Sequence, residues 1–358
     1  MRVKLKDITK FSKGTQINGK NLIDDGAYSY LNGGINPSGK WNEFNVAENT
    51  VTISEGGNSS GYVNYMNKAF WCGAHCYYLY DGPKNSKYLY YALKSQQERL
   101  FRIRSGACMP NIKKSDLGNF IIEYEEDETR QEEVVKVLEK CELLIEDYNK
   151  KLALLDEAVR ARFVEMFGDP IENQKNWQVV KIGDIATDVR YGTSKPAVEG
   201  GKYPYLRMNN LTVDGGLDLN NLKYIDIPDN EIEKCVVRKG DILFNRTNSI
   251  DLIGKTAVFN LLDDMVIAGY IIRIRLNNQI LPDVFSQYMN LEVMKKVLRG
   301  MAKGAVNQAN INAQELQSIK VYIPNMELQK QYVEFKEEID KSRLLSNHSL
   351  LLLKSIIF

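Results

Sequence analysis

The sequence predicts an α+β protein of two similar mixed α/β domains, joined and followed by long helices forming an antiparallel coiled coil with pseudo-two-fold symmetry. Three observations lead there: the chain repeats itself, each repeat reads as short strands with a few helices, and each runs into a stretch of helical periodicity. Val3-Lys4-Leu5-Lys6-Asp7-Ile8 returns as Val180-Lys181-Ile182-Gly183-Asp184-Ile185. Gly106-Ala107 followed by Asn111-Ile112 returns as Gly304-Ala305 followed by Asn310-Ile311. Leu152, Leu155 and Val159 have counterparts at Leu350, Leu353 and Ile357. A duplicated unit presents two similar surfaces, which suits a bipartite target.

The repeats place a first domain at 1–125, a spacer helix at 126–169, a second domain at 170–325 and a C-terminal helix at 326–358. At 358 residues there is room for about two ordinary domains, and 44% hydrophobic with 26% charged residues is a soluble globular composition. No apolar run reaches about 18 residues, so no membrane span is expected. Five scattered cysteines, odd in number, read as free thiols of a cytoplasmic protein. The net charge of +1 hides a segregation. Residues 1–124 carry 16 Lys+Arg against 10 Asp+Glu and residues 170–325 carry 19 against 17, whereas residues 125–169 carry 7 against 14. Basic bodies on an acidic helix permit a polyanionic partner without requiring one.

In the first domain Thr50-Val51-Thr52-Ile53 reads as a strand and Lys87 to Leu100 as a helix. The spacer then shows apolar Val134, Leu138, Cys141, Ile145, Tyr148, Leu152, Leu155 and Val159 at alternating steps of four and three, a coiled-coil seam. Phe167-Gly168-Asp169-Pro170 ends it, after roughly 60 Å at 1.5 Å per residue. In the second domain Asp241 to Phe244 and Ile271 to Leu276 are strand-like, and Pro282 to Leu298 looks helical. The last helix follows Pro324, with Tyr332, Phe335, Ile339, Leu350, Leu353 and Ile357 as its seam.

Two polar loops follow matching strands: Ser54-Glu55-Gly56-Gly57-Asn58-Ser59-Ser60-Gly61, and Asn245-Arg246-Thr247-Asn248-Ser249 running on to Gly254-Lys255. Small hydroxyl and amide side chains on a pliant backbone offer donors to phosphates or base edges. An ordinary polar turn explains either loop alone, but not its recurrence at the same place. The further candidate readers are Lys13, Thr15, Gln16, Asn32, Lys40, Arg104 and Asn111 in the first copy. In the second they are Arg190, Tyr191, Thr193, Lys195, Arg207, Asn209, Asn210, Asn307, Gln308 and Asn310. Arg bridges guanine and Asn or Gln bridges adenine, although each such residue singly is more often a solvated surface residue. Cys72-Gly73-Ala74-His75-Cys76 offers too few ligands for zinc and reads as buried thiols of a strand. No Walker loop, dinucleotide fingerprint, adenine-methyltransferase motor or nucleophile elbow is present. No catalytic or metal-binding residue is assigned.

These residues resemble the specificity (S) subunits of type I restriction-modification systems. The phrases that carry the resemblance are Asn32 to Gly39, Trp71 to Cys76, Tyr203 to Asn210, Gly240 to Ser249 and the helix end from Arg162 to Asp169. The resemblance spans essentially the whole chain and implies two target-recognition domains, each reading one half of an asymmetric, gapped site in double-stranded DNA. It implies spacer helices that dock methyltransferase subunits, two of them, with restriction subunits joining the complex. S-adenosylmethionine, ATP and Mg are then expected on those partners and no cofactor on this chain. Three alternatives remain open: the specificity subunit of a related system with a fused nuclease-methyltransferase partner, a self-contained DNA-modifying enzyme, and a purely structural coiled-coil dimeriser. The relative shortness of the last helix leaves room for completion by another subunit.

Overall fold

The structure, a computed structural model, describes residues 1–106, 108–305 and 308–357. The chain divides into two compact units, each containing a globular body and parts of both long helices. The first comprises Met1–Asn149 with the chain end from Asn347, and the second Lys150–Ser346. No described helix is long and apolar enough to cross a membrane.

In the first unit an antiparallel sheet runs in the order Lys10–Lys13, Cys76–Tyr80, Thr50–Ser54, Val63–Met66. A smaller sheet orders Gly39–Trp41, Tyr28–Leu31 and Phe70–Cys72, the last two strands parallel. Its main core gathers Val51, Ile53, Val63, Leu93, Leu100 and Ile112, all buried. Burying each such side chain contributes about 1.5–3 kcal/mol. Cys72 and Cys76 are buried free thiols on adjoining strands, while His75 between them is exposed.

The second unit repeats this topology. Ala186–Tyr191, Ile271–Leu276, Ile242–Asn245 and Thr256–Val258 form the antiparallel sheet in the matching order. The companion sheet adds a strand: Lys223–Ile225, Tyr203–Leu206, Met265–Ile267, Val236–Val237. The two basic residues of Ile271–Leu276 are internal anchors. Arg273, only 1% exposed, reaches Asp188 at 2.5 Å, and Arg275 meets Asp241 at 3.0 Å.

Both helices expected after the sheets are broken in two. Ser86–Lys94 is followed by Gln97–Arg102, because Ser95 and Gln96 tighten the turn by bonding Tyr91 and Leu93 carbonyls at 2.9 and 3.0 Å. Pro282–Asn290 is followed by Glu292–Met301, because Leu291 adopts extended backbone and buries its side chain.

The first long helix spans Glu128–Phe167. It opens where the Asp127 carboxylate accepts from Thr129 N at 2.9 Å, and it closes at Gly168, whose φ of 83° is the left-handed cap that glycine adopts freely. Phe163 stacks edge-on against Phe167, Tyr288 and Tyr332, with ring centroids 4.9, 6.4 and 5.4 Å apart. The second long helix spans Met326–Ile357, and in the second unit it runs antiparallel to the first: Tyr332 meets Phe163 while Arg343 pairs with Asp156 at 2.5 Å. In the first unit Val135, Cys141 and Ile357 form a buried cluster, with Leu138, Ile145 and Leu353 packed against it. Val159 and Leu350 are buried, and Tyr148, Leu152, Leu155, Phe335 and Ile339 are half-buried.

Val134 departs from the expected seam: it is 42% exposed and Val135 takes the inward place. The cause is local. The Gln131 amide donates to Tyr124 Oη at 3.0 Å and to the Glu125 carbonyl at 2.7 Å, which fixes the inward face at Gln131 and hence four residues later at Val135.

Replacing Phe163 with Ala removes the ring shared by both long helices and the second body. The expected loss is about 3–5 kcal/mol in denaturant unfolding. A loss below about 1 kcal/mol would mean that this cluster does not hold the helices to the body.

Candidate nucleic-acid interface

In the second unit, five of the residues singled out by sequence line one cavity of about 630 Å³: Thr193, Lys195, Arg207, Asn209 and Arg246. Arg246 follows the Ile242–Asn245 strand. Its guanidinium lies 4.9 Å from the Tyr191 ring centroid and donates weakly to the Gly269 carbonyl at 3.4 Å, while Nε is buried without a partner. Tyr191 is held in turn by Ala313 N, which donates to its hydroxyl at 2.8 Å. Arg207 follows the Tyr203–Leu206 strand; Nη2 donates to the Asn221 carbonyl at 3.2 Å, and Nε again lacks a partner. Lys195 pairs with Glu231 at 2.8 Å. None of the residues lining the cavity is acidic. Two guanidinium groups and an ammonium, of which only Lys195 is paired with a carboxylate, make a receptor for hydrogen-bond acceptors.

The backbone beneath is close-packed. A Cβ on Gly192 would stand 2.2 Å from the Ile267 carbonyl oxygen, so only glycine permits the crossing that leads Thr193 into the cavity. Tyr205 Oη donates to the carbonyls of Thr193 and Lys195, each at 3.2 Å, and burial pushes its phenol pKa up, so it remains a neutral donor.

Other candidates have different work. Asn210 is buried: Oδ1 accepts from Arg207 N at 2.9 Å and Nδ2 donates to the Asp218 carbonyl at 2.8 Å. Thr247 is also buried and donates to Asn310 Oδ1 at 2.9 Å, and Asn248 donates to Asn245 Oδ1 at 2.8 Å. Asn210 and Thr247 therefore brace the fold from within and are not free at the surface. Arg190 is turned onto Asp188 at 2.7 Å, and Gln308 is exposed outside the cavity. Asn307 lies outside the described residues. Sequence reasoning missed Tyr270, a half-exposed cavity residue. Its signal was an aromatic next to Gly269, between the apolar runs Met265 to Ala268 and Ile271 to Ile272.

In the first unit Ser54, Ser59 and Asn32 gather around Gly33. Ser54 is buried and its hydroxyl donates to the Gly33 carbonyl, as does the Ser59 hydroxyl, so Ser54 is a loop brace and not a reader. Asn32 Oδ1 accepts from His75 N at 3.2 Å. Lys13 and His75 both approach Glu55, at 2.7 and 3.3 Å. Arg104 donates to the carbonyls of Phe101 at 2.7 Å and Asn58 at 3.2 Å. The Thr15 carbonyl accepts from the Trp71 indole at 2.7 Å, and Asn111 Oδ1 accepts from the Ser105 hydroxyl at 3.1 Å. Thr15, Gln16, Lys40 and Asn58 are exposed. His75 joins this cluster and was not among the candidate readers.

A family profile described as the type I restriction modification DNA specificity domain matches residues 1–156 and 174–354. The chain is 30% identical over 252 residues to a protein of Mycoplasma genitalium described as a type I specificity subunit, covering 60% of this chain and 64% of that one. It is 31% identical over 216 residues to a similarly described protein of Mycoplasma pneumoniae, covering 56% and 57%. Each alignment thus spans less than two thirds of the relative's own length. Among solved structures, the S subunit of a type I restriction-modification system from M. genitalium aligns with a TM-score of 0.62 at 21% identity, covering 100% of this chain and 93% of that one. That likeness is one of fold.

Replacing Asn210 with Ala leaves the Arg207 N–H and the Asp218 carbonyl without their partner. The expected cost is about 1–3 kcal/mol in chemical denaturation. Unchanged stability would return Asn210 to the solvent-facing readers.

Proposed function

Because the chain belongs to the type I restriction-modification DNA specificity family, we propose that it is the non-catalytic subunit that reads double-stranded DNA for such a system. The bodies at 1–125 and 170–325 each read one half of a gapped site, and partner subunits carry out adenine methylation or restriction. The observation that carries this reading is the cavity lined by Lys195, Arg207 and Arg246 with no acidic residue in its wall. Guanine O6 and N7, or a backbone phosphate, present the acceptors such a surface lacks.

The helices support the assembly part of this reading. Leu143, Leu144, Leu351 and Leu352 are exposed in the first unit, and Leu154, Leu344 and Leu345 in the second. A partner that covers them removes apolar surface from water. We assign these faces to two methyltransferase subunits on an antiparallel coiled coil of pseudo-two-fold symmetry, with restriction subunits joining them in the cytoplasm. S-adenosylmethionine, ATP and Mg belong to those partners.

Arg246→Ala and Arg207→Ala separate base from phosphate contacts. Once the methylated motif is mapped, affinity of the methyltransferase complex is measured for the cognate duplex and single-base variants at several salt concentrations. A lost base contact costs about 1–3 kcal/mol and relaxes one position; a lost phosphate contact weakens every sequence alike and flattens the salt slope. Wild-type binding by both variants would place the interface elsewhere.

A further inference from the structure

The two candidate reading loops close on the same backbone frame. In the first unit Gly61 N donates to Ser54 O at 2.8 Å and Ser54 N to Tyr62 O at 2.9 Å. In the second, Gly254 N donates to Asn245 O at 2.9 Å and Asn245 N to Lys255 O at 2.8 Å. Gly61 and Gly254 both have left-handed φ, 86° and 76°. Ser54, Gly61 and Val63 therefore correspond to Asn245, Gly254 and Thr256.

A lysine and an amide from the two following helices clasp each frame. In the first unit Lys94 ends the first of these helices and Gln97 begins the next. Lys94 Nζ donates to Val63 O at 3.1 Å and to Gln97 Oε1 at 3.4 Å, Gln97 Nε2 donates to Gly61 O at 2.6 Å, and Val63 N donates to Gln97 Oε1 at 3.0 Å. In the second unit Asn290 stands where Lys94 stood, and Lys295 provides the lysine. Asn290 Nδ2 donates to Thr256 O at 2.5 Å, Lys295 Nζ donates to Gly254 O and to Asn290 Oδ1 at 2.7 Å, and Thr256 N donates to Asn290 Oδ1 at 3.2 Å. The same four bonds recur with the lysine and the amide exchanged between the helices. Lys94 and Lys295 are both buried.

We propose that the Lys94–Gln97 pair and the Asn290–Lys295 pair are positioning residues that set the shape of the two reading loops, and hence the half-site each body recognises. This rests on the DNA-reading function above. Each clasp fills the acceptors and the N–H at the loop stem, so the loop leaves the sheet in one direction. An apolar pair of similar volume would leave those backbone groups buried and unpaired. In the second unit the clasp continues through Lys255, whose Nζ donates to the carbonyls of Met208 at 2.7 Å and Leu211 at 2.5 Å. That ties the stem to the turn bearing Arg207 and Asn209.

The test maps methylated motifs in cells expressing the full chain with its methyltransferase, scoring cognate against single-base-variant sites in each half. Thermal unfolding of each purified complex reports folding. For Lys295→Met, discrimination in the half read by the second body is expected to fall roughly tenfold, the worth of a base contact, with the other half unchanged. Asn290→Lys with Lys295→Gln rebuilds the arrangement of the first unit and is expected to restore discrimination to within about threefold. Folded Lys295→Met with unchanged discrimination, or with both halves relaxed equally, would overturn the proposal. So would an exchanged pair that fails to fold or fails to discriminate. If Lys295→Met does not fold, the exchanged pair alone decides. A wild-type complex that yields no bipartite motif sinks the DNA reading, and the clasp with it; a normal motif beside an unaffected Lys295→Met sinks the clasp alone.

Discussion

Burial of Phe163 and Phe167 in the core of the second body is the constraint on which the rest of that unit depends. Tyr332 from the terminal helix packs on both rings, and Tyr288 packs on Phe163, so helix end, helix start and body share one core. Two carbonyls at the helix end are paired as well: Tyr322 Oη donates to Gly168 O at 2.9 Å and the Trp177 indole to Phe167 O at 2.9 Å. A helix end normally leaves carbonyls unpaired, and here they become anchors. The direction in which the first long helix leaves the second body is set by chemistry at its last turn.

The same economy of polar groups recurs beneath the reading surfaces. Burial pushes the Lys295 ammonium down to about 7 and Lys94 to about 8. Either protonation state keeps at least two N–H donors, enough for the Val63 and Gln97 oxygens at Lys94 and the Gly254 and Asn290 oxygens at Lys295. The folded-state values lie below the unfolded 10.5, so between about 7 and 10.5 the unfolded chain binds more protons and Lys295 makes stability rise with pH. Below about 7 its desolvation cost is present in full. The loop stems are thus held by paired backbone groups.

Much of this was legible in the sequence because period and repetition are robust. The steps of four and three announced the helix that forms over Glu128–Phe167, and alternation announced Ile271–Leu276 at its observed bounds. Repeated phrases announced two bodies of common strand order. Three features were hidden for physical reasons. Val134 and Val135 are alike in hydropathy, and only the Gln131 bonds choose between them. Asn210 and Thr247 are short polar residues, which cap and brace as readily as they read. Lys94 and Lys295 look like solvated helix lysines until the folded chain brings carbonyls to them. The cavity itself joins Thr193, Arg207, Arg246 and Tyr270 from separate strand ends, a meeting that no local pattern encodes.

That the two bodies are independent readers is tested most directly by exchanging residues 10–120 for those of another such subunit and mapping methylated adenines in cells that also express the methyltransferase. The expected result is a new sequence in one half of the motif, with the other half and the gap unchanged. A motif in which both halves change, or in which the gap alters while the helices are untouched, would contradict modular reading by two bodies.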